Sequence, residues 1–240
     1  MTYIDASGMD YRQLNAAIRD CSGDASVTDC YGQRFIGAGL EEGNLSITGT
    51  PGNALGAYLN GACIEVRGNA QDAVGDTMNA GRIVIHGSIG DAAGYAMRGG
   101  ELYVEGNAGY RAGIHMKAYG DKLPVMVIGG KAGSFLGEYQ AGGIIIVLGL
   151  TDGSRPIVSN FPCTGMHGGK LYIRSDCKKL LLPKQVIARP ASRKDMNEVR
   201  DYLHTFCQLF GGNCDALLRQ PFTVITPNSC NPYKQLYVTN

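Results

Sequence analysis

The chain has no charge excess, no long apolar run and no paired-cysteine motif, and each absence removes a class of protein. Its 22 basic residues face 21 acidic ones, for a net charge of +1. That balance does not favour nucleic acid or an anionic membrane as a partner. The longest apolar run, residues 144–148, is far too short to span a bilayer. The first residues, MTYIDASGMDYRQ, lack the basic-then-apolar pattern of an export signal, so a cytoplasmic location with reduced thiols is expected. The eight cysteines stand at 21, 30, 63, 163, 177, 207, 214 and 230 and none forms Cys-x-x-Cys. Small buried thiols are therefore expected, and no metal site. No carboxylate pair and no nucleophile–base pair stands out.

What is present is glycine, 35 residues of it, and it is periodic. Gly49, Gly68, Gly87 and Gly106 are 19 apart, as are Gly56, Gly75, Gly94 and Gly113. A fixed period near 20 marks a solenoid in which each repeat is one coil. Each coil reads as a short alternating strand followed by a Gly-x-x-Gly-x-x-x-Gly corner. The corners are Gly49/Gly52/Gly56, Gly87/Gly90/Gly94, Gly106/Gly109/Gly113 and Gly130/Gly133/Gly137, with Gln71 taking the middle position between Gly68 and Gly75. Glycine is wanted at such a corner for positive φ or for close backbone stacking. The inward strand pairs run Leu45/Ile47, Ile64/Val66, Ile83/Ile85, Leu102/Val104, Met126/Ile128, Ile145/Val147 and Leu171/Ile173. Two further apolar columns are Ile36, Leu55, Val74, Ala93, Ala112, Leu136 and Leu40, Leu59, Met78, Met97, Met116. Stacked like on like, these fill a narrow core, each large side chain contributing about 1.5–3 kcal/mol. The expected fold is an all-β solenoid, a parallel β-helix of about seven coils over residues 24–175.

The flanks complete this picture. Residues 10–20 read as an amphipathic helix with Asp10 as N-cap, and residues 1–23 are expected to cap the open end of the stack. The register lengthens twice. Gly113 to Gly137 is 24 residues, with the extra ones near 117–123. Gly137 to Gly165 is 28, with an insertion over 150–163. Residues 176–240 are expected to pack on the prism, with a helix over 193–210 carrying one apolar stripe, a short helical stretch near 215–219 and a strand over 222–225. Outward strand positions turn apolar late in the stack, at Val125, Val127, Ile144, Ile146 and Leu148. Such a face needs a cover, either the chain's own C-terminal segment or a partner, and these five residues are the candidate partner surface. His115 and His167 both lie two residues past a glycine in coils that bear insertions, and are the candidates for a two-histidine functional surface.

Two enzyme classes built on β-helices do not fit. Hexapeptide acyltransferases need a six-residue period, which a 19-residue coil breaks. Polysaccharide lyases and hydrolases are usually exported and carry acidic clusters on one outer face. The glycines are not a phosphate loop either, since they recur and lead into strands, where a phosphate loop leads into a helix.

The stretches YGQRFIGAGL (31–40), GTPGNALGAYLNG (49–61), GNAQDAVGDTMNAGRIVIHG (68–87), GYAMRGGELYVEGNAGYRAGIHMK (94–117) and VIGGKAGSFLGEYQAGG (127–143) resemble the Gly-x-Gly-x-Gly (GXGXG) domain family. That family comprises the C-terminal domain of the glutamate synthase large subunit and the C subunit of formylmethanofuran dehydrogenase. The resemblance covers about residues 8–175, and is strongest to the stand-alone third part of a split, archaeal-type glutamate synthase large subunit. It implies a right-handed β-helix in the cytoplasm, without catalysis or cofactor of its own. It also implies partner subunits: a glutaminase-type amidotransferase, and a synthase carrying FMN and iron–sulfur clusters that makes glutamate from 2-oxoglutarate. No residue here matches the family's catalytic positions, so none is carried over. The alternatives are a scaffold like the C subunit of formylmethanofuran dehydrogenase, a subunit of an N-methylglutamate synthase-like amidotransferase, or an independent enzyme with its site near His115 and His167.

Overall fold

The computed structural model describes residues 1–21, 24–176 and 180–228. Cys177, Cys230 and the segment beyond residue 228 lie outside them. The 19-residue register becomes a stack of parallel strands: β1 Thr2–Asp5, β2 Ala25–Tyr31, β3 Asn44–Thr50, β4 Asn60–Arg67, β5 Ala80–Ile85, β6 Glu101–Val104, β7 Val125–Ile128, β8 Ala141–Val147 and β9 Gly168–Ile173. Each pairs with the next in order. The pairing follows the repeat, with Leu45 beside Ile64, Ile64 beside Ile83 and Ile83 beside Leu102. All seven inward pairs are buried in one continuous core. So are both apolar columns, apart from the half-buried Leu40. The fold is therefore the expected parallel β-helix. The strand β1, which precedes the cap helix, was not anticipated. It extends the stack by one rung.

The crossover between strands owes its form to backbone handedness. In each coil three alternate residues adopt the left-handed conformation. The middle one is the last glycine of the corner motif, from Gly37 through Gly56, Gly75, Gly94 and Gly113 to Gly137. The outer two are mostly not glycine. One column is Phe35, Ala54, Ala73, Ala92, Arg111, Phe135 and Phe161; the other is Gly39, Tyr58, Thr77, Ala96, His115, Tyr139 and Gly165. For a residue with a Cβ this conformation costs about 1–2 kcal/mol. It is offset because alternating hands turn successive amides up and down the stack. The outer residues donate to the following coil, as Ala73 N–H does to Asp91 O at 2.8 Å. The middle glycine donates to the preceding one, as Gly94 N–H does to Val74 O at 2.7 Å. At Gly113 (φ +71) a Cβ would also run into Ile145 Cδ1.

The rest of the motif corrects the expectation of a single glycine-built turn. Gly52 and Gly90, with Gly109 and Gly133, stand at its middle position, and none of them is left-handed. They lie before the crossover, where Ile89, Ala108 and Ala132 form parallel bridges from coil to coil. Glycine is needed there by close approach alone. A Cβ at Gly52 would meet Gly32 O, one at Gly90 would meet Asp72 Oδ1, and one at Gly133 would lie 2.6 Å from Gly109 O. The need is not absolute, since Gln71 occupies this position with its side chain exposed. The first glycines of the motif also answer to crowding by the preceding coil. At Gly87 a Cβ would lie 2.6 Å from Gly68 O, at Gly106 2.7 Å from Gly87 O, and at Gly130 2.7 Å from Gly106 O. In this column Gly49 and Gly68 add a positive φ, +124 and +151, as does Gly149 (φ +60), whose amide donates to Gly130 O.

The last coil corrects the expected register. Ile145 pairs with Leu171, 26 residues on, so the insertion is two residues shorter than the glycine spacing indicated. Cys163 (φ +60), and not Gly165, occupies the column of Gly137. Its amide donates to Leu136 O at 2.8 Å, as a corner glycine would.

Both ends of the main sheet are finished by other elements. The helix α1, Tyr11–Asp20, is capped by Asp10 in a capping box with Gln13, and buries Leu14 and Ile18 on the first coil. At the far end β9 meets β11, Thr223–Pro227, and β11 meets β10, Val186–Pro190, both antiparallel. Between them α2, Arg193–Phe210, and α3, Cys214–Leu218, cross the outer sheet face. The side chain of Asp195 ties α2 to β10. It accepts from both terminal guanidinium nitrogens of Arg189 at 2.6 and 2.9 Å and from the Ser192 amide at 2.7 Å. The Arg189 guanidinium, with Ser192 adding to it, holds this carboxyl well below the usual carboxylate range against the opposing effect of burial.

In urea unfolding, Gly113→Ala should destabilise by about 2–4 kcal/mol from backbone strain and overpacking. Ala92→Gly, in a left-handed site that needs no side chain, should be neutral or stabilising. Equal losses in the two would contradict the account of the corner. Because the Asp195 pKa is depressed in the folded chain, its stabilisation is present above the unfolded carboxylate value near 3.9 and fades as pH falls below it. Thermal melts should show Asp195→Asn less stable at pH 7 by about 1–2 kcal/mol, with the gap to the native chain narrowing by pH 3.

Candidate functional site

The surface expected to take a partner is covered by the chain itself. Val125, Val127, Ile144, Ile146 and Leu148 are at most 2% exposed. They form a second core with Val199, Leu203 and Phe206 of α2, Leu217 of α3, and Phe222 and Val224. Outward β-positions became apolar there because an amphipathic helix needed a floor. Tyr172 and Lys170 hold the same helix from the side, each reaching Glu198 at 2.6–2.8 Å. As a docking site for another subunit this face is withdrawn.

The two histidines are not a pair. The register sets His115 in one column with Tyr139 and Gly165. His167 lies two positions further on, and its Nδ1 is 3.1 Å from Gly165 O. The glycine spacing had made them look equivalent, whereas the 26-residue step separates them. His115 instead belongs to an aromatic strip. Its ring stacks on Tyr139, with centroids 5.2 Å apart and planes 12° apart, and meets the edge of Tyr95 at 5.7 Å. Beside it Phe135 stacks on Phe161 at 5.4 Å, and Arg111 lies over Phe135 at 5.2 Å. Arg111 is fixed by a 2.9 Å bond to Glu138, itself buried in the corner.

This strip runs along the left-handed corners and stays in the open. Phe35, Tyr58, Tyr95, Tyr110 and Phe161 are 41–63% exposed. Rungs about 4.7–4.9 Å apart bring these side chains into one surface. Their backbone is held by bonds to the coils on both sides, so the strip is presented on a rigid support. Exposed aromatic rings and an anchored arginine are what protein interfaces are rich in. Reading two residues either side of each left-handed glycine would have found most of it, because the sequence there changes from Ala54, Ala73 and Ala92 to Arg111 and Phe135; Phe161 lies two residues before Cys163 and escapes that reading.

Other polar groups serve the stack. Asn69 Oδ1 accepts from Ser88 N–H at 2.8 Å, and Asp72 Oδ1 from Asp91 N–H at 2.8 Å, each one coil away. On the outer sheet face His86 Nε2 lies 2.9 Å from Glu65 Oε1 and its ring meets the edge of Phe210. The cysteines among the described residues are free, and burial pushes the Cys163 thiol up to about 12. Among the described residues no group of three or more His, Cys, Asp or Glu is placed to hold a metal ion. No helix among them is long and apolar enough to cross a membrane.

Comparison with known proteins agrees with this architecture. The chain is 42% identical over 248 residues to the uncharacterized protein MJ1350 of Methanocaldococcus jannaschii, covering 98% of this chain and 95% of that one. Among solved structures it is similar to a chain of the formyltransferase/hydrolase complex (FhcABCD) from Methylorubrum extorquens, determined in complex with methylofuran. That match has a TM-score of 0.52 at 19% identity and covers 92% of this chain and 89% of that chain. It bears on the fold. The family model described as the GXGXG motif matches residues 10–228, and the chain belongs to the GXGXG motif family.

Proposed function

We propose that this chain is a non-catalytic scaffold subunit of a glutamate synthase-like complex. In this reading it braces a glutaminase-type amidotransferase subunit against an FMN- and iron–sulfur-bearing synthase subunit, so that released ammonia reaches 2-oxoglutarate before it escapes. The contribution is positional: holding two sites in fixed geometry replaces diffusion with a short, directed transfer. The observation that carries the reading is the exposed aromatic strip, with Arg111 anchored in it, on a corner whose backbone is bonded on both sides. Membership of the GXGXG family supports a place beside such subunits.

A separate observation favours a second reading. The solved complex to which the fold is similar is a formyltransferase/hydrolase complex, which supports a scaffold like the C subunit of formylmethanofuran dehydrogenase. The two readings share the scaffold role and differ in the partners.

Gentle purification from native cells, followed by identification of what is retained, separates them. A glutaminase and a flavoprotein with iron–sulfur absorbance are expected. Molybdenum- or tungsten-bearing partners would move the chain to the second reading, and a lone chain after crosslinking would defeat both. Within the complex, Tyr95→Asp with His115→Asp should weaken assembly at least tenfold, about 1.4 kcal/mol. The isolated variant should still melt within a few degrees of the native chain, because aspartate tolerates the left-handed site at 115. Unchanged recovery of partners would remove the strip from the interface.

A further inference from the structure

Side chains just before the crossover hand amide acceptors from coil to coil. Asn53 Oδ1 accepts from Asp72 N–H at 3.3 Å, then Asp72 Oδ1 from Asp91 N–H and Asp91 Oδ1 from Tyr110 N–H, both at 2.8 Å. The parallel bridge between Ala108 and Ala132 makes Ser134 the next residue in this column. Tyr110 brings it no carboxylate or amide oxygen, and its ring is 55% exposed. Among the described residues nothing accepts from the Ser134 amide, and its hydroxyl has no partner. Yet Ser134 is only 8% exposed. A buried donor without an acceptor is costly and calls for an explanation. The neighbouring ladder carries on at this level, since Asn107 Oδ1 accepts from Lys131 N–H at 2.8 Å.

Ser134 borders a cavity of about 180 Å³, lined also by Asn107, Tyr110 and Lys131 and by Arg155 and Ser159 of the following insertion. At about 30 Å³ per water molecule this is the space of roughly six waters. It suits a carboxylate with a short chain and is small beside the roughly 300–1,000 Å³ of a pocket for a drug-sized ligand. Two cations stand at it. Lys131 Nζ bonds the carbonyls of Gly153 at 2.6 Å and Asp152 at 3.4 Å, and neutral carbonyls leave its charge in place. Arg155 is exposed and has no partner among the described residues. The one carboxylate in the lining is Asp91, whose Oδ1 is engaged by the Tyr110 amide.

We propose that this cavity binds a small organic acid through its carboxylate. One carboxylate oxygen accepts from the Ser134 amide and hydroxyl, in the role that Asp91 Oδ1 plays for Tyr110 one rung earlier. The other oxygen faces Arg155, whose guanidinium matches a carboxylate with two parallel donors. Lys131 adds charge and holds the insertion beside the site. The fold itself specifies the group, because Asp72 and Asp91 put a carboxylate oxygen at the same place on the two preceding rungs. The bound acid thereby continues the acceptor column past Tyr110 and ties the insertion to the stack. This site is the same whichever complex the chain serves.

Titration of the full chain with sodium acetate at constant ionic strength, read by NMR at single amides, tests it. The Ser134 amide should shift and saturate, while the mid-stack amides of Gly94 and Gly113 stay unchanged. Arg155→Gln should weaken binding at least about fivefold. Tyr110→Asp gives the column a carboxylate of its own, so it should abolish the response and raise the melting temperature. Tyr110→Ala supplies no acceptor and should still bind acetate. Should Tyr110→Asp fail to fold, Ser134→Ala keeps the amide and removes the hydroxyl, and should weaken acetate at least about threefold. No saturable shift at Ser134, or an equal one in Tyr110→Asp, would overturn the proposal. Phosphate or chloride binding as tightly as acetate would also overturn it, because the site would then read charge alone. A Ser134 shift that appears only with a partner subunit bound, and not with acetate, would assign the carboxylate to that partner's side chain and overturn a small-acid site.

Discussion

Everything in this structure depends on one requirement, that each coil find backbone partners in the coil before and the coil after. A strand meets it through ordinary parallel pairing. A corner ordinarily does not, because a tight turn points its polar groups outward to water. Here the corner meets it by alternating left- and right-handed residues, which turns successive amides alternately toward the two neighbouring coils. The strain falls on residues such as Ala92 and Phe135, which carry a Cβ, and it is offset by bonds that recur at every level of the stack. The glycines divide two tasks between them. Gly94 and Gly113 relieve strain where it coincides with steric overlap, while Gly52 and Gly90 only make room for the coil beneath. The side-chain ladders of Asn69, Ser88 and Asn107 add a third set of coil-to-coil bonds near the first corner.

That requirement explains what could be read from the sequence. A backbone constraint repeated at fixed spacing leaves a periodic residue signature, so the glycine columns, the inward pairs and the 24-residue step were visible without coordinates. Which glycines are left-handed was not, because close approach and positive φ select the same residue type. The helices α1 and α2 were legible because caps and apolar stripes are local. The last coil was misread because Cys163 sits in a glycine column: a left-handed cysteine leaves no compositional trace, and Gly165 nearby offered a false match. That error carried through to His115 and His167. The family resemblance gave the GXGXG assignment, which the family match over residues 10–228 bears out. It could not say which surface is free, since that depends on where α2 lies.

The outer sheet face and the corner face are alternatives for the same need. A rod of stacked coils has several sides, and only those left uncovered by its own chain can meet another subunit. Burying Val125, Val127, Ile144, Ile146 and Leu148 under α2 removes one side and stiffens the late coils, since α2 crosses several rungs and is clamped by Arg189 at its start and by Lys170 and Tyr172 along its length. The opposite change occurs on the corner. Arg111, Phe135 and Phe161 follow Ala54, Ala73 and Ala92 in one column over the same late coils, although Phe35 and Tyr58 already stand at the corners of the first two.

This coincidence has a mechanical sense. A surface that is to fix a partner's position must not yield when loaded, and the stiffest part of a solenoid is where coils are braced from a second direction. Coils near the first rungs rely on stacking and α1 alone. Coils near β7 to β9 have stacking, the α2 brace and the β11–β10 extension of the sheet. The exposed rings of His115 and Phe161, with the half-buried Tyr139 and Phe135 that stack on them, lie over these braced coils, where the proposed scaffold role would need the least yielding support. The helix that took the anticipated docking face thereby supports the face that remains.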